Sequence, residues 1–104
     1  MIVYNTTFHI EKSVADEVII YFKNIYMPQA AASGFLLSPR MRRIIMEDES
    51  EGVSYSIQFH VKNADTLNFW LESEGRTLQK NLVTKFGHNV NGFTTLLEEI
   101  DWER

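Results

Sequence analysis

The chain of 104 residues has no cysteine, only two prolines and only five glycines. Without cysteine there is no disulfide staple, no thiolate nucleophile and no zinc–thiolate site. Positive charge is also scarce. Ten Lys and Arg face fourteen Asp and Glu, for a formal net charge of −4. Phosphate binding wants a basic footprint, so the balance argues against a general nucleic-acid binder. No apolar run approaches the roughly 20 residues that a membrane helix needs. The opening Met1-Ile2-Val3-Tyr4 has no basic segment followed by a long apolar stretch, so no secretory signal is expected, and Ile2 excludes N-myristoylation. No linker, low-complexity tract or tandem repeat interrupts the chain. These absences lead us to expect one soluble, cytoplasmic domain over residues 1–104, without a membrane or nucleic-acid partner.

What is present is a 44% hydrophobic content, with 12% aromatic residues, arranged in two periods. Residues 2–10 alternate: Ile2, Tyr4, Phe8 and Ile10 share one parity, with Thr6 between them, while Val3, Asn5, Thr7 and His9 share the other. That is a strand buried on one face. Residues 14–32 repeat apolar side chains at helical spacing (Val14, Val18, Ile19, Phe22, Ile25, Tyr26), with Ser13 as the expected N-cap. Pro28 should kink this helix or end its regular part, and Gly34 should stop it. Phe35 to Met46 reads as extended. A polar turn at Asp48 to Gly52 joins it to a second alternating strand, Val53 to Val61. Residues 64–86 read as helical through Leu67, Trp70, Leu71, Leu78, Leu82 and Phe86, with Gly75 as a dividing point and Gly87 as the stop. A last strand is expected from Asn89 to Leu97, with an extension toward Ile100.

The order strand, helix, strand, strand, helix, strand predicts an α+β, ferredoxin-like βαββαβ sandwich. Its antiparallel four-stranded sheet carries two helices on one face, and right-handed crossovers put the last strand at one edge and the second at the other. The other face would present Val3, Asn5, Thr7 and His9 beside Ser54, Ser56, Gln58 and His60. Long apolar residues are left over between residues 35 and 46 and between 93 and 100. An edge bearing Phe35, Leu36, Leu37, Ile44 and Ile45 invites aggregation in a monomer. A homodimer joined through the sheet faces would cover this surface and enlarge the core.

Four groups of residues carry a resemblance to a known family. They are Met1-Ile2-Val3-Tyr4-Asn5, Met27-Pro28 followed by Ser33-Gly34-Phe35, Gly52 to Phe59 (Gly-Val-Ser-Tyr-Ser-Ile-Gln-Phe), and Lys85-Phe86-Gly87 leading to Phe93-Thr94-Thr95-Leu96-Leu97. Together they resemble the largely Bacteroidetes family named domain of unknown function 4286 (DUF4286). The resemblance implies the dimeric α+β barrel class, in which two ferredoxin-like sheets pack face to face, and it implies no established activity. The broader class holds small cofactor-independent monooxygenases and haem-handling relatives, and it implies a site role for Asn5. Tyr26 stands at the helix end where many members of that class have a histidine before the proline, which argues against a haem.

The residues themselves suggest a candidate pocket of Asn5, Thr7, His9, Arg42, Ser56, Gln58 and His60 on the uncovered face. They offer donors and acceptors, and His60 can act as a base near neutral pH. Antiparallel pairing puts Asn5 near Gln58, His9 near Ser54 and His60 near Val3. The two histidines then lie at opposite ends and cannot hold one metal. Arg40 and Arg42 face together and could hold an anion, although pairing with the acids of residues 47–51 or of the C-terminus is the simpler expectation. No catalytic triad, phosphate loop, dinucleotide fingerprint or metal motif is visible, so no cofactor and no metal are expected. Two functions compete. One is a small soluble homodimer of unknown role, either non-enzymatic with a hydrated interface or binding a small molecule between its sheet faces. The other is a cofactor-independent monooxygenase-like or isomerase-like enzyme acting on an aromatic or acidic metabolite.

Overall fold

The computed structural model describes residues 1–103. Strands β1 (Ile2–Glu11), β2 (Leu37–Ile44), β3 (Gly52–Val61) and β4 (Val90–Glu98) form one antiparallel sheet in the order β2-β3-β1-β4. The helical layer consists of α1 (Ala15–Tyr21), α2 (Met27–Ala32), α3 (Ala64–Trp70) and α4 (Arg76–Phe86). A π-helical segment, Phe22–Tyr26, joins α1 to α2, and a second, Leu71–Gly75, joins α3 to α4. The two long helical runs read from the sequence are therefore each continuous, with a wide turn inside.

The π segments explain how the apolar stripe stays on one face. Val18, Phe22, Tyr26 and Ala30 are all buried and recur every fourth residue. Four residues of α-helix overshoot a full turn by roughly 40°, so such a row drifts away from the core unless the helix widens. Pro28 adds a local reason. It has no N–H to give to the carbonyl four residues back and its ring crowds that carbonyl, and the wider turn before it relieves both. The chain thus continues through Pro28 to Ala32, where the sequence suggested a kink or an end. Ile25, expected on the buried stripe, is 40% exposed. In the second run Gly75 lies against the indole of Trp70. A Cβ there would come within 2.7 Å of a Trp70 ring carbon, so glycine is what lets the ring pack onto its own helix.

The core lies between helices and sheet. Tyr4, Phe8 and Ile10 of β1 and Ile57, Phe59 and Val61 of β3 pack against Val18, Phe22, Trp70, Leu82 and Phe86. Aromatic edge contacts bind the layers together: Tyr4 meets Trp70 at 6.1 Å, and Tyr21 meets Phe86 at 5.4 Å between the two helical runs.

Several expectations need correction. Ser13 does not cap the first helix: Lys12–Val14 form a 3-10 turn, and the N-cap position, Val14, makes no side-chain capping bond. β2 is shorter than the expected extended segment, and Leu36 before it is a core residue at 2% exposure. The edge of β2 is not a smooth template for aggregation. Its register with β3 shifts between Leu37 and Arg40, where Ser38 takes a positive φ of 51° and Pro39 withholds an N–H. The largest correction concerns the dimeric α+β barrel. The sheet is open, with β2 and β4 as separate edges, and no strand pairing closes it. The physical reason is strand number: roughly eight strands are needed before a sheet wraps around a filled interior, and this chain supplies four.

Candidate functional site

The uncovered sheet face carries all seven residues of the expected pocket. β1 and β3 pair Asn5 with Gln58, Thr7 with Ser56, His9 with Ser54 and Val3 with His60, the register read from the sequence. β2 adds Arg40 opposite Gln58 and Arg42 opposite Ser56. The centre of this face is a hydrogen-bonded strip. The Ser56 hydroxyl donates to Asn5 Oδ1 at 2.5 Å, and Asn5 Nδ2 donates to the Thr7 hydroxyl at 3.2 Å. Arg42 Nη1 donates to Gln58 Oε1 at 3.2 Å. His9 Nδ1 lies 3.2 Å from Ser54 Oγ. His9 and His60 stand at opposite ends of the strand pair, roughly 20 Å apart by strand rise.

Charge pairing differs from the expected pattern. Arg43, on the helix-side parity, forms the ion pair with Glu49, and this bond holds its guanidinium above the usual arginine range. The Arg40 guanidinium donates to the neighbouring carbonyl of Pro39 at 2.8 Å. His60 Nε2 meets Glu99 Oε1 at 2.6 Å, a contact the sequence reading missed. Its signal was present in the register: β4 puts Leu97 opposite Val3, so Glu99 continues on the same face toward His60. None of the seven residues lines any of five concavities found among the described residues, and the face is uncovered in the single chain. Among the described residues no three potential metal ligands stand together, and no helix is long and apolar enough to cross a membrane.

A different site lies on the opposite side of the sheet. A cavity of about 200 Å³ is lined by Tyr4, Thr6 and Phe8 of β1, Tyr26 of the first π segment, Gln79 of α4, and Gly92, Phe93 and Thr94 of β4. Its origin is a run of small residues on the helix-side parity. Thr6 pairs with Thr94, and Phe8 pairs with Gly92, whose missing side chain leaves room for the Phe8 ring. The helices cover β1 and β3 closely, whereas β4 is exposed beyond Val90, so the gap persists along β4. Phe8 and Tyr26 meet edge to face at 5.9 Å in one wall.

The electrostatics of this cavity follow from burial. Tyr26 is 5% exposed, and loss of water around it pushes its hydroxyl well above the usual tyrosine range, with Tyr4 and Tyr21 adding to the rise. Tyr26 is therefore a neutral hydrogen-bond donor at any ordinary pH. The lining combines two phenols, two threonines and one amide with aromatic walls, and none of its eight residues is a carboxylate or an imidazole. Sequence reading placed Tyr4, Thr6 and Phe8 together on the buried parity of the first strand and proposed no site there. The overlooked signal was Thr6 itself, a polar residue within the apolar parity, matched by Gly92 and Thr94 at alternate positions of β4.

Comparison with solved structures places this architecture among small α+β proteins. A protein assigned as an antibiotic biosynthesis monooxygenase from Deinococcus radiodurans superposes with a TM-score of 0.67 at 18% identity, covering 100% of this chain and 97% of that one. An EthD family protein from Bacillus halodurans gives 0.72 at 16% identity over 96% and 100% of the chains. HapK from Hahella chejuensis gives 0.72 at 9% identity over 100% and 97%. At these identities the likeness is one of fold. No curated protein matches the sequence. The sequence does match one family model, described as a domain of unknown function, across residues 1–100, and the chain accordingly belongs to the DUF4286 family.

Proposed function

We propose that this protein is a small-molecule enzyme of the cofactor-independent, monooxygenase-like or isomerase-like kind, acting on a single-ring phenol or enol held in the cavity beneath β4. The observation that carries this reading is the neutral, buried Tyr26 hydroxyl in a polar-tipped, ring-walled space of about 200 Å³. A cavity of roughly 150 Å³ admits benzene, so this one suits a single substituted ring. Tyr26, Thr6 and Gln79 can hold an oxyanion as it develops, which is stabilisation by preorganised donors. The lining offers no base, so the substrate's own proton must be acidic, as in a phenol. Oxidation of a phenol by dioxygen balances without a cofactor. The phenol loses four electrons, its O–H hydrogen and one C–H hydrogen to become a quinone, and dioxygen ends as one quinone oxygen and, with those two hydrogens, one water. The likeness of fold to proteins assigned as antibiotic biosynthesis monooxygenases supports this class. A binding screen of phenols and enols tests it. A saturable ligand that Tyr26→Phe weakens about 10- to 150-fold is expected, since a donor to a charged oxygen contributes roughly 1.5–3 kcal/mol. Equal binding by the variant counts against the site.

The uncovered face supports a second reading, a homodimer of two open sheets. Its polar centre, with Asn5, Thr7, His9, Arg42, Ser56, Gln58 and His60, is flanked by Phe93 (64% exposed) and Leu97 on one edge and by Leu37 and Ile44 on the other. Apolar flanks around a self-satisfied polar strip suit an isologous pairing about a two-fold axis. Light scattering after size exclusion should give twice the chain mass at micromolar concentration, and Phe93→Asp should reduce it to the mass of one chain. A wild-type monomer contradicts the pairing.

A further inference from the structure

We infer that the chain carries a second ligand site, a half-cage for a quaternary ammonium group, formed by Phe35 and Phe69 with the Asp65 carboxylate. A shallow depression of about 370 Å³, widely open to water, is lined there by Phe35, Asp65, Thr66 and Phe69. It shares no residue with the cavity beneath β4.

Two large aromatic side chains stand in water at this place, Phe35 at 38% and Phe69 at 60% exposure. Their rings are 5.5 Å apart with an interplanar angle of 73°. Two rings in edge-to-face contact make a corner, and a cation seated in that corner meets the negative face of one ring and lies beside the rim of the other. The corner is held from both sides. Phe35 follows the turn in which the Ser33 hydroxyl donates to the Ala30 carbonyl and accepts from the Phe35 N–H, while the adjacent Leu36 is anchored in the core. Phe69 projects from α3, whose neighbouring residues Leu67 and Trp70 are buried.

The third element is charge. Asp65 lies in the first turn of α3, and no ion pair engages it among the described residues. A purely apolar ligand would have no use for a carboxylate in the wall, whereas a methylated ammonium would use both. Its methyl groups contact the rings and its diffuse charge faces Asp65. A bare ammonium or metal ion is excluded as the preferred ligand, because it would give up its hydration to an aromatic corner with only one carboxylate in return.

The test is a titration with choline, followed through the ring resonances of Phe35 and Phe69. Its uncharged isostere, 3,3-dimethylbutan-1-ol, serves as the comparison. Saturable shifts with choline are expected, with the alcohol bound at least about two- to five-fold more weakly, the contribution of one exposed cation–π contact. Phe69→Leu keeps the apolar bulk and removes the π face. It should weaken choline by about the same factor with an unchanged melting temperature. Asp65→Asn should weaken it by about two- to five-fold. The same titration with Nε-trimethyllysine shows which carrier of the group the site prefers, and tighter binding of either compound agrees with the proposal. Equal affinity for choline and the alcohol, or no saturable shift of either ring, would overturn it.

Discussion

Tyr26 shows how a single position acquires its properties. Placed by a π turn before Pro28 and shut away from water, its phenol is far harder to ionise than one in the unfolded chain. The sign of the pH effect follows directly. A raised folded-state value means that the contribution to stability is complete below the unfolded value and is lost as pH rises. Above about pH 10 the unfolded chain releases the proton and the folded chain does not, so stability should fall by about 1.4 kcal/mol per pH unit from this residue. Urea midpoints measured between pH 9 and 11.5 should show this slope, and Tyr26→Phe should flatten it. Gly75 gives a second test at the same scale. Alanine normally favours a helix interior over glycine by up to about 1 kcal/mol. Here its Cβ would run into the buried Trp70 ring, and overpacking costs roughly 1–3 kcal/mol. The overlap should win, and Gly75→Ala should lower the thermal midpoint, with a change in Trp70 fluorescence. Trp70 has no slack to offer, since its ring is 1% exposed and its indole N–H has no partner among the described residues.

At the level of elements, strand parity was fully legible. Alternation is a property of each strand alone, so β1 and β3 could be read for face, register and pairing before any coordinates. The helical runs were legible in extent and not in form. A row such as Val18, Phe22, Tyr26 and Ala30 looks like ordinary helical spacing over two turns, and only its persistence over four members demands the wider turns that the structure contains. The edge strands were read least well. What blunts β2 is a bulge at Ser38 and Pro39, and what opens the cavity is the thinness of β4 at Gly92 and Thr94, opposite β1. Both depend on what a neighbouring strand presents, which no single-strand pattern records. The expected pocket was drawn on the polar parity because polar residues are what a sequence displays as candidates. The cavity beneath β4 sits on the apolar parity, where one threonine was easily taken for a gap in the core.

For the molecule as a whole, the absences noted at the start have a structural counterpart. The chain has no cysteine and more acids than bases, and its two sheet faces carry chiefly hydroxyls, amides and aromatic rings. The structure divides those between the uncovered face, with Asn5, Thr7, Ser56 and Gln58, and the helix side of β1 and β4, with Tyr4, Thr6, Tyr26 and Gln79. The sheet does not close on itself, and its other face is uncovered in the single chain. On the proposed reading these two faces divide the work of neighbouring residues: Thr6 toward a ligand, Thr7 toward a second copy. The alternation that separates them also makes the account directly testable. With a bound phenol and methyl-labelled threonine and valine, nuclear Overhauser contacts from the ligand ring should reach the methyl groups of Thr6 and Thr94. Contacts to Thr7 and Val3 instead would place the ligand on the uncovered face and contradict the account.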